Sequence, residues 1–138
     1  MRVIIDTSVW SLAFRKKDKS KYDVKLINYL SEIVRDLRCV MIGPIRQEIL
    51  SGISIESKFI EMQNKLSMFS DWIIETEDYE LAAKFYNKCR MNGIQGSHID
   101  YLICAVAFNS NLSILTLDND FDNYQKYTGI ILEKKEFD

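Results

Sequence analysis

Asp6 follows the apolar run Val3-Ile4-Ile5, and Asp118 and Asp120 follow a later one, Ile114 to Leu117. Glu48 lies shortly after a third such run, Cys39 to Ile42, and Asp100 opens the apolar stretch Ile99 to Phe108. If the apolar runs are strands and the acids gather at one edge, their like charges repel and some are driven to take up protons. Divalent cations are the natural compensation, because hard Mg²⁺ prefers carboxylate oxygen and keeps several of its waters. Each acid also has a purely local role open to it. Asp6 could cap a helix, and Ser97-His98-Ile99-Asp100 fits a capping box. Glu48 could be one solvated residue on a helix face, and Asp118 or Asp120 could favour a helix N-terminus.

Other chemistries lack their parts. The chain has one histidine, His98, and three cysteines, Cys39, Cys89 and Cys104, without CxxC spacing, so no zinc site suggests itself. There is no Gly-x-Ser-x-Gly nucleophile turn. Gly93-x-x-Gly96 is the only close glycine pair, and there is no GxGxxG or GKS/T phosphate-cradling loop. His98 reads as a helix-start residue, and the three thiols as buried and reduced.

The elements that must position the acids are legible from apolar spacing. Val3–Ile5, Cys39–Ile42, Trp72–Ile74, Ser113–Thr116 and Gly129–Leu132 read as five short strands. Between them, helical spacing runs from Tyr22 to Leu37, from Pro44 to Gly52, from Ser57 to Met68, from Asp78 to Met91 and from His98 to Phe108. Asp6-Thr7-Ser8 is suited to capping a first helix and Asp118 to Phe121 to opening a last one. Continuously apolar strands alternating with helices predict a parallel sheet covered on both faces, an α/β fold in three layers. In such sheets ligands collect beyond the carboxyl ends of the strands, where Asp6 and Asp118 belong.

Composition narrows the classes further. The chain is 47% hydrophobic and 12% aromatic with five glycines and one proline, which excludes disorder and predicts one domain over residues 1–138. No run approaches the roughly 20 apolar residues that span a bilayer, and Met1 to Asp6 is too short for a signal-peptide core, so a cytoplasmic protein without a membrane partner is expected. Eighteen basic residues face 20 acidic ones, net −2, which disfavours a broad basic face for duplex DNA. Setting aside Asp6, Glu48, Asp100 and Asp118 leaves 16 acids against 18 bases, so the acidity can reside in one metal site.

Four stretches in order carry a family resemblance: Val3-Ile-Ile-Asp6-Thr-Ser-Val-Trp10, Arg46-Gln-Glu48-Ile-Leu-Ser-Gly52, Asp100-Tyr-Leu-Ile-Cys-Ala-Val-Ala107, and Thr116-Leu-Asp118-Asn-Asp120-Phe121. Over essentially the whole chain the sequence resembles a PIN domain, specifically a VapC-type toxin of a toxin–antitoxin pair. The resemblance implies a PIN-like α/β/α fold and an endoribonuclease dependent on one or two Mg²⁺ or Mn²⁺ ions. On the family pattern Asp6, Glu48, Asp100 and Asp118 form the acidic quartet, with Asp120 as a further acid and Thr7 and Thr116 as supporting hydroxyls. It also implies a homodimer, an RNA substrate and a cognate antitoxin. In that chemistry a metal-activated water attacks a phosphodiester in line, without a covalent intermediate.

Arg15, Lys16 and Lys17, with Lys19 and Lys21, form a basic segment that could steer an RNA backbone or could equally be a solvated loop. Arg46 is a further RNA-contact candidate, although two helical positions from Glu48 amount to about 200° of rotation. Trp10, Tyr79, Phe85 and Tyr86 fit buried helix faces better than base-stacking platforms. A dehalogenase-like phosphatase also starts with a strand ending in Asp, but needs a second Asp where this chain has Ser8. A PIN fold acting only as a binding or docking module is the remaining alternative, and it would be expected to lose acids.

Overall fold

The computed structural model describes residues 1–134, 136 and 137. Strand β1 (Val3–Ile5) leads into α1 (Thr7–Arg15) and α2 (Lys21–Arg35), then β2 (Cys39–Val40), α3 (Gly43–Ser51) and α4 (Glu56–Leu66). Helices α5 (Thr76–Met91) and α6 (His98–Ser110) precede β3 (Ser113–Leu115), α7 (Asp120–Thr128) and β4 (Ile131–Leu132). The helix boundaries follow local chemistry. Ser20 and Asp23 form a reciprocal capping box at the start of α2, and Pro44 sits in the first turn of α3. Gly129 stops α7 with a φ of +74°, the left-handed conformation that costs glycine least.

All four strands run parallel in the order β2-β1-β3-β4. Ile4 pairs with Val40 on one side and Ile114 on the other, and Ile5 pairs with Leu115. Every residue of β1 and β3 is buried, as strands covered on both faces require. The chain leaves β1 for one side of the sheet, to form β2, and later crosses to the other side to form β3 and β4. The gap between the carboxyl ends of β1 and β3 is therefore the switch point of the sheet, the place where such folds open a crevice. Asp6 and Thr116 are the residues that immediately follow those two strands.

Helix α6 is the most continuously buried helix, with Tyr101 through Ala107 all inside. It packs on α5 and α7, while α1 packs on α3 and α3 on α4. Trp10 is buried as expected, its indole N–H donating to the Ile5 carbonyl at 3.0 Å. Cys89 and Cys104 are free buried thiols, and burial pushes the half-buried Cys39 thiol up to about 12.

Two expectations are corrected. Trp72–Ile74 is not a fifth strand. A single parallel bridge joins Met41 to Asp71, and Trp72 N donates to Met41 O at 2.7 Å, after which pairing stops. The Trp72 ring turns aside to Ser110 and lies under the Arg2 guanidinium, and Ile73 is 74% exposed, so the apolar triplet has no second layer to hold it as a strand. Tyr79 does not join the buried stripe of α5 either. It is 55% exposed, whereas Ala82, Phe85 and Cys89 are buried, because α5 turns toward α6 a face that Tyr79 only borders.

Candidate active site

Asp6 is the residue at which β1 becomes α1. Its backbone N–H still pairs with Leu115 O at 2.9 Å, and its carbonyl already accepts the first helical bonds from Val9 and Trp10. Its carboxylate makes no cap bond to α1. Instead Oδ2 accepts two hydroxyls, Ser8 Oγ and Thr116 Oγ1, each at 2.7 Å. The side chain is only 6% exposed, so these two charge-assisted bonds are what makes a buried carboxylate tolerable there. The same hydroxyls accept in turn from backbone amides, Ser8 from Leu117 N and Thr116 from Asp118 N, both at 3.0 Å. The end of β1 and the turn after β3 are thereby laced together through one carboxylate.

Glu48 projects from α3 and accepts the Thr7 hydroxyl on Oε1 at 3.0 Å. Burial pushes its carboxyl above the usual value, the Thr7 bond opposes the rise, and the charges of Asp6 and Asp100 add to it. Asp100 stands in the first turn of α6. Its backbone N–H donates to Ser97 Oγ at 3.1 Å, which is half of the capping box read from the sequence. The other half is missing, because the Asp100 carboxylate does not return to Ser97 N. It accepts the Tyr124 hydroxyl on Oδ2 at 2.8 Å. Burial raises the Asp100 carboxyl, the Tyr124 bond opposes this, and the charges of Asp118 and Asp6 push it further up. Asp118 Oδ1 accepts from Asp120 N at 2.9 Å, a turn that aims the chain into α7. Asp120 begins that helix, exposed and close enough to raise the Tyr124 hydroxyl's pKa, although burial and Asp100 are the larger causes.

Two properties of this arrangement bear on chemistry. The acids feel one another's charge: Asp6 and Asp100 act on Glu48, and Asp118 and Asp6 act on Asp100. Each of the four also has one oxygen held by a close donor of the chain, and on Asp6, Glu48 and Asp118 the other accepts no hydrogen bond among the described residues, while Ser97 adds a weaker contact to the Asp100 carboxyl. Crowded, half-satisfied carboxylates are a donor set suited to a hard divalent cation. Among the described residues no three His, Cys, Asp or Glu side chains converge closely enough to hold a cation as they stand. The fit therefore rests on the oxygen donors and their mutual repulsion.

A family model for the PIN domain matches residues 3–127. The chain belongs to the PIN-domain family. Solved PIN-like structures of low identity share its fold over nearly the whole length. FitAcB from Neisseria gonorrhoeae is 16% identical, with 96% of this chain and 97% of that one covered and a TM-score of 0.76. VapBC2 from Rickettsia felis, solved bound to a DNA fragment from its promoter, is 14% identical over 96% and 98%, with a TM-score of 0.73. DNA-bound VapBC from Salmonella typhimurium is 13% identical over 98% of both chains, with a TM-score of 0.71. A search among curated proteins finds no match.

In this PIN domain the basic candidates go to different places. Arg46 points away from the acids: Nε donates to Asp71 at 3.0 Å, and its other nitrogens donate to the carbonyls of Leu66, at 3.0 Å, and Phe69. Its guanidinium is a staple between α3 and the turn after α4. Arg15 donates to Ile49 O at 2.7 Å and lies against Gly52, tying the end of α1 to the end of α3. Lys16 pairs with Asp23 at 2.7 Å, and Lys17 has no ion-pair partner among the described residues. Ser8 and Tyr124 are the site residues that sequence reading passes over. Ser8 sits two positions from Asp6 and is detectable as a hydroxyl opening α1. Tyr124 meets Asp100 only through the packing of α7 on α6, and nothing local announces it.

Proposed function

We propose that this PIN-domain protein is a divalent-cation-dependent endoribonuclease, the toxin of a toxin–antitoxin pair, acting in the cytoplasm as a homodimer that a cognate antitoxin blocks. The observation carrying the reading is the electrostatic coupling of Asp6, Glu48, Asp100 and Asp118, acids drawn from four separate stretches of a PIN-family chain. Asp6 Oδ1, Glu48 Oε2, Asp100 Oδ1 and Asp118 Oδ2 are the oxygens that would hold one or two Mg²⁺ or Mn²⁺ ions, with Asp120 as an auxiliary acid. When bound, such a cation supplies Lewis acidity, lowering the pKa of a water toward neutrality and neutralising charge on the phosphodiester.

The chain's own residues orient and handle protons. Ser8, Thr116, Thr7 and Tyr124 fix the carboxylates, so that little reorganisation is needed when substrate arrives. One of these carboxylates would also relay the proton from the attacking water. Lys17, with Lys16 beside it, is the backbone-steering candidate, while the staples made by Arg15 and Arg46 argue for structural roles.

Cleavage of mixed cellular RNA by the purified protein in Mn²⁺, with and without chelator, tests the nuclease. Asp6→Asn and Asp100→Asn are each expected to lose at least about 100-fold in rate, more than the loss of a partner outside the ligand set costs, while remaining folded by circular dichroism. Undiminished metal-dependent cleavage in both variants would sink the assignment. Absence of Mn²⁺ binding in the wild type would favour a non-catalytic PIN module. The toxin reading is tested by induction in cells: growth should stop, resume when the neighbouring small reading frame is co-expressed, and continue unaffected with Asp6→Asn.

A further inference from the structure

Tyr124 is a fully buried residue whose hydroxyl emerges at one point, 2.8 Å from Asp100 Oδ2. Its ring is wedged between Tyr101, at 4.9 Å between centroids, and Phe121, at 5.1 Å. Its carbonyl accepts the Thr128 hydroxyl at 2.8 Å. The ring therefore has no freedom to follow Asp100 if the carboxylate moves. The fourth wall is Gly96. A Cβ there would stand 2.5 Å from the Tyr124 hydroxyl oxygen and 2.8 Å from the ring carbon that bears it, closer than real Cβ atoms approach anything. The backbone at Gly96 does not require a glycine through a positive φ, so the reason for glycine here is room for this hydroxyl.

We propose that Tyr124, seated in the slot that Gly96 leaves open, is a positioning residue that holds Asp100 so that it offers a single oxygen, and so makes the site prefer a small six-coordinate cation to Ca²⁺. The inference rests on the metal-site reading above and deepens it. Ca²⁺ takes six to eight oxygens in flexible geometry and can grip a carboxylate through both, whereas Mg²⁺ demands a near-ideal octahedron at short range, which a two-oxygen grip distorts. Tyr124 occupies one Asp100 oxygen, as Thr7 occupies one on Glu48, and Ser8 and Thr116 together fill one on Asp6. The site is thus preset against two-oxygen grip before any ion arrives.

The test is equilibrium binding of Mn²⁺ and of Ca²⁺, each alone, to wild type, Tyr124→Phe, Gly96→Ala and the double variant, by calorimetry, with melting temperatures alongside. Wild type should bind Mn²⁺ more tightly than Ca²⁺. Tyr124→Phe should lose roughly tenfold in Mn²⁺ affinity, as removal of an outer partner does, with Ca²⁺ affinity equal or better, so that the preference narrows. Gly96→Ala should narrow it likewise and add nothing in the Tyr124→Phe background. If Gly96→Ala does not fold, Tyr124→Phe decides alone. An unchanged preference in Tyr124→Phe overturns the proposal, as does a wild type that binds both ions equally, and either result leaves the metal-site reading standing. A wild type that binds neither ion removes that reading and this inference together.

Discussion

Replacing Thr116 with valine keeps the shape of a fully buried side chain and deletes one hydroxyl. That hydroxyl donates to Asp6 Oδ2 at 2.7 Å and accepts from Asp118 N at 3.0 Å. A buried hydrogen bond to a charged group contributes about 2 kcal/mol, and an amide left without its acceptor costs about 1 kcal/mol more. Ser8 remains on Asp6, so the carboxylate keeps one of its two hydroxyl donors. The expected loss is therefore about 3 kcal/mol. For a chain of 138 residues the unfolding entropy is roughly 0.3 kcal/mol/K, which converts the loss into a fall in melting temperature on the order of 10 °C. Thr128→Val is the matched control, because it removes only neutral bonds, one to the Tyr124 carbonyl and a long one from Ile130 N at 3.5 Å, and should cost about 1 to 2 kcal/mol. Thermal denaturation followed by circular dichroism in chelator reads both, and the RNA-cleavage rate of Thr116→Val should fall roughly 10- to 100-fold because Asp6 and the Asp118 turn loosen together. A Thr116→Val protein that melts within about 2 °C of wild type would refute the claim that this hydroxyl supports the buried acid.

Burial and the neighbouring acids raise the folded-state pKa of both Glu48 and Asp100, so in the metal-free protein the folded state holds more protons than the unfolded one between the ordinary carboxylate range and those raised values. Stability contributed by these two groups is present at low pH and lost as pH rises through that window; Asp100→Asn should therefore flatten the pH dependence of melting in chelator, and identical profiles would contradict it. Arg15→Ala should lower stability by about 1 to 2 kcal/mol through the lost bond to Ile49 O while leaving the salt dependence of RNA binding unchanged. A salt slope reduced by about one would instead make Arg15 a phosphate contact.

Asp6 and Asp118 were readable as edge acids because each lies just past a strand. A run such as Val3-Ile4-Ile5 is apolar at every position only when both faces are covered, and the first polar residue after it must emerge at the sheet's edge. The same logic overreached at Trp72–Ile74, where three apolar residues look like a strand but only one bridge forms and Ile73 faces solvent. Apolar runs report local preference, and whether a partner edge and a covering layer exist is decided elsewhere in the chain. Arg15 and Arg46 were legible as charges but not as staples, since their acceptors are carbonyls of Ile49, Leu66 and Phe69, groups every residue carries.

From the sequence alone come the alternation of strands and helices, the PIN resemblance, and the identity of Asp6, Glu48, Asp100 and Asp118 with Thr7 and Thr116 beside them. The alternation follows from periodicity, whereas the assignment of those acids and threonines to one site is what the family resemblance implies. Tertiary structure alone decided which oxygen of each acid is held and which is left open. It brought Tyr124 to Asp100, 24 residues apart, and required glycine at position 96 to let the hydroxyl pass. The reason is physical: a hydroxyl or a missing Cβ acquires its function from what packing places within 3 Å of it, and packing sums the whole chain rather than any window of it.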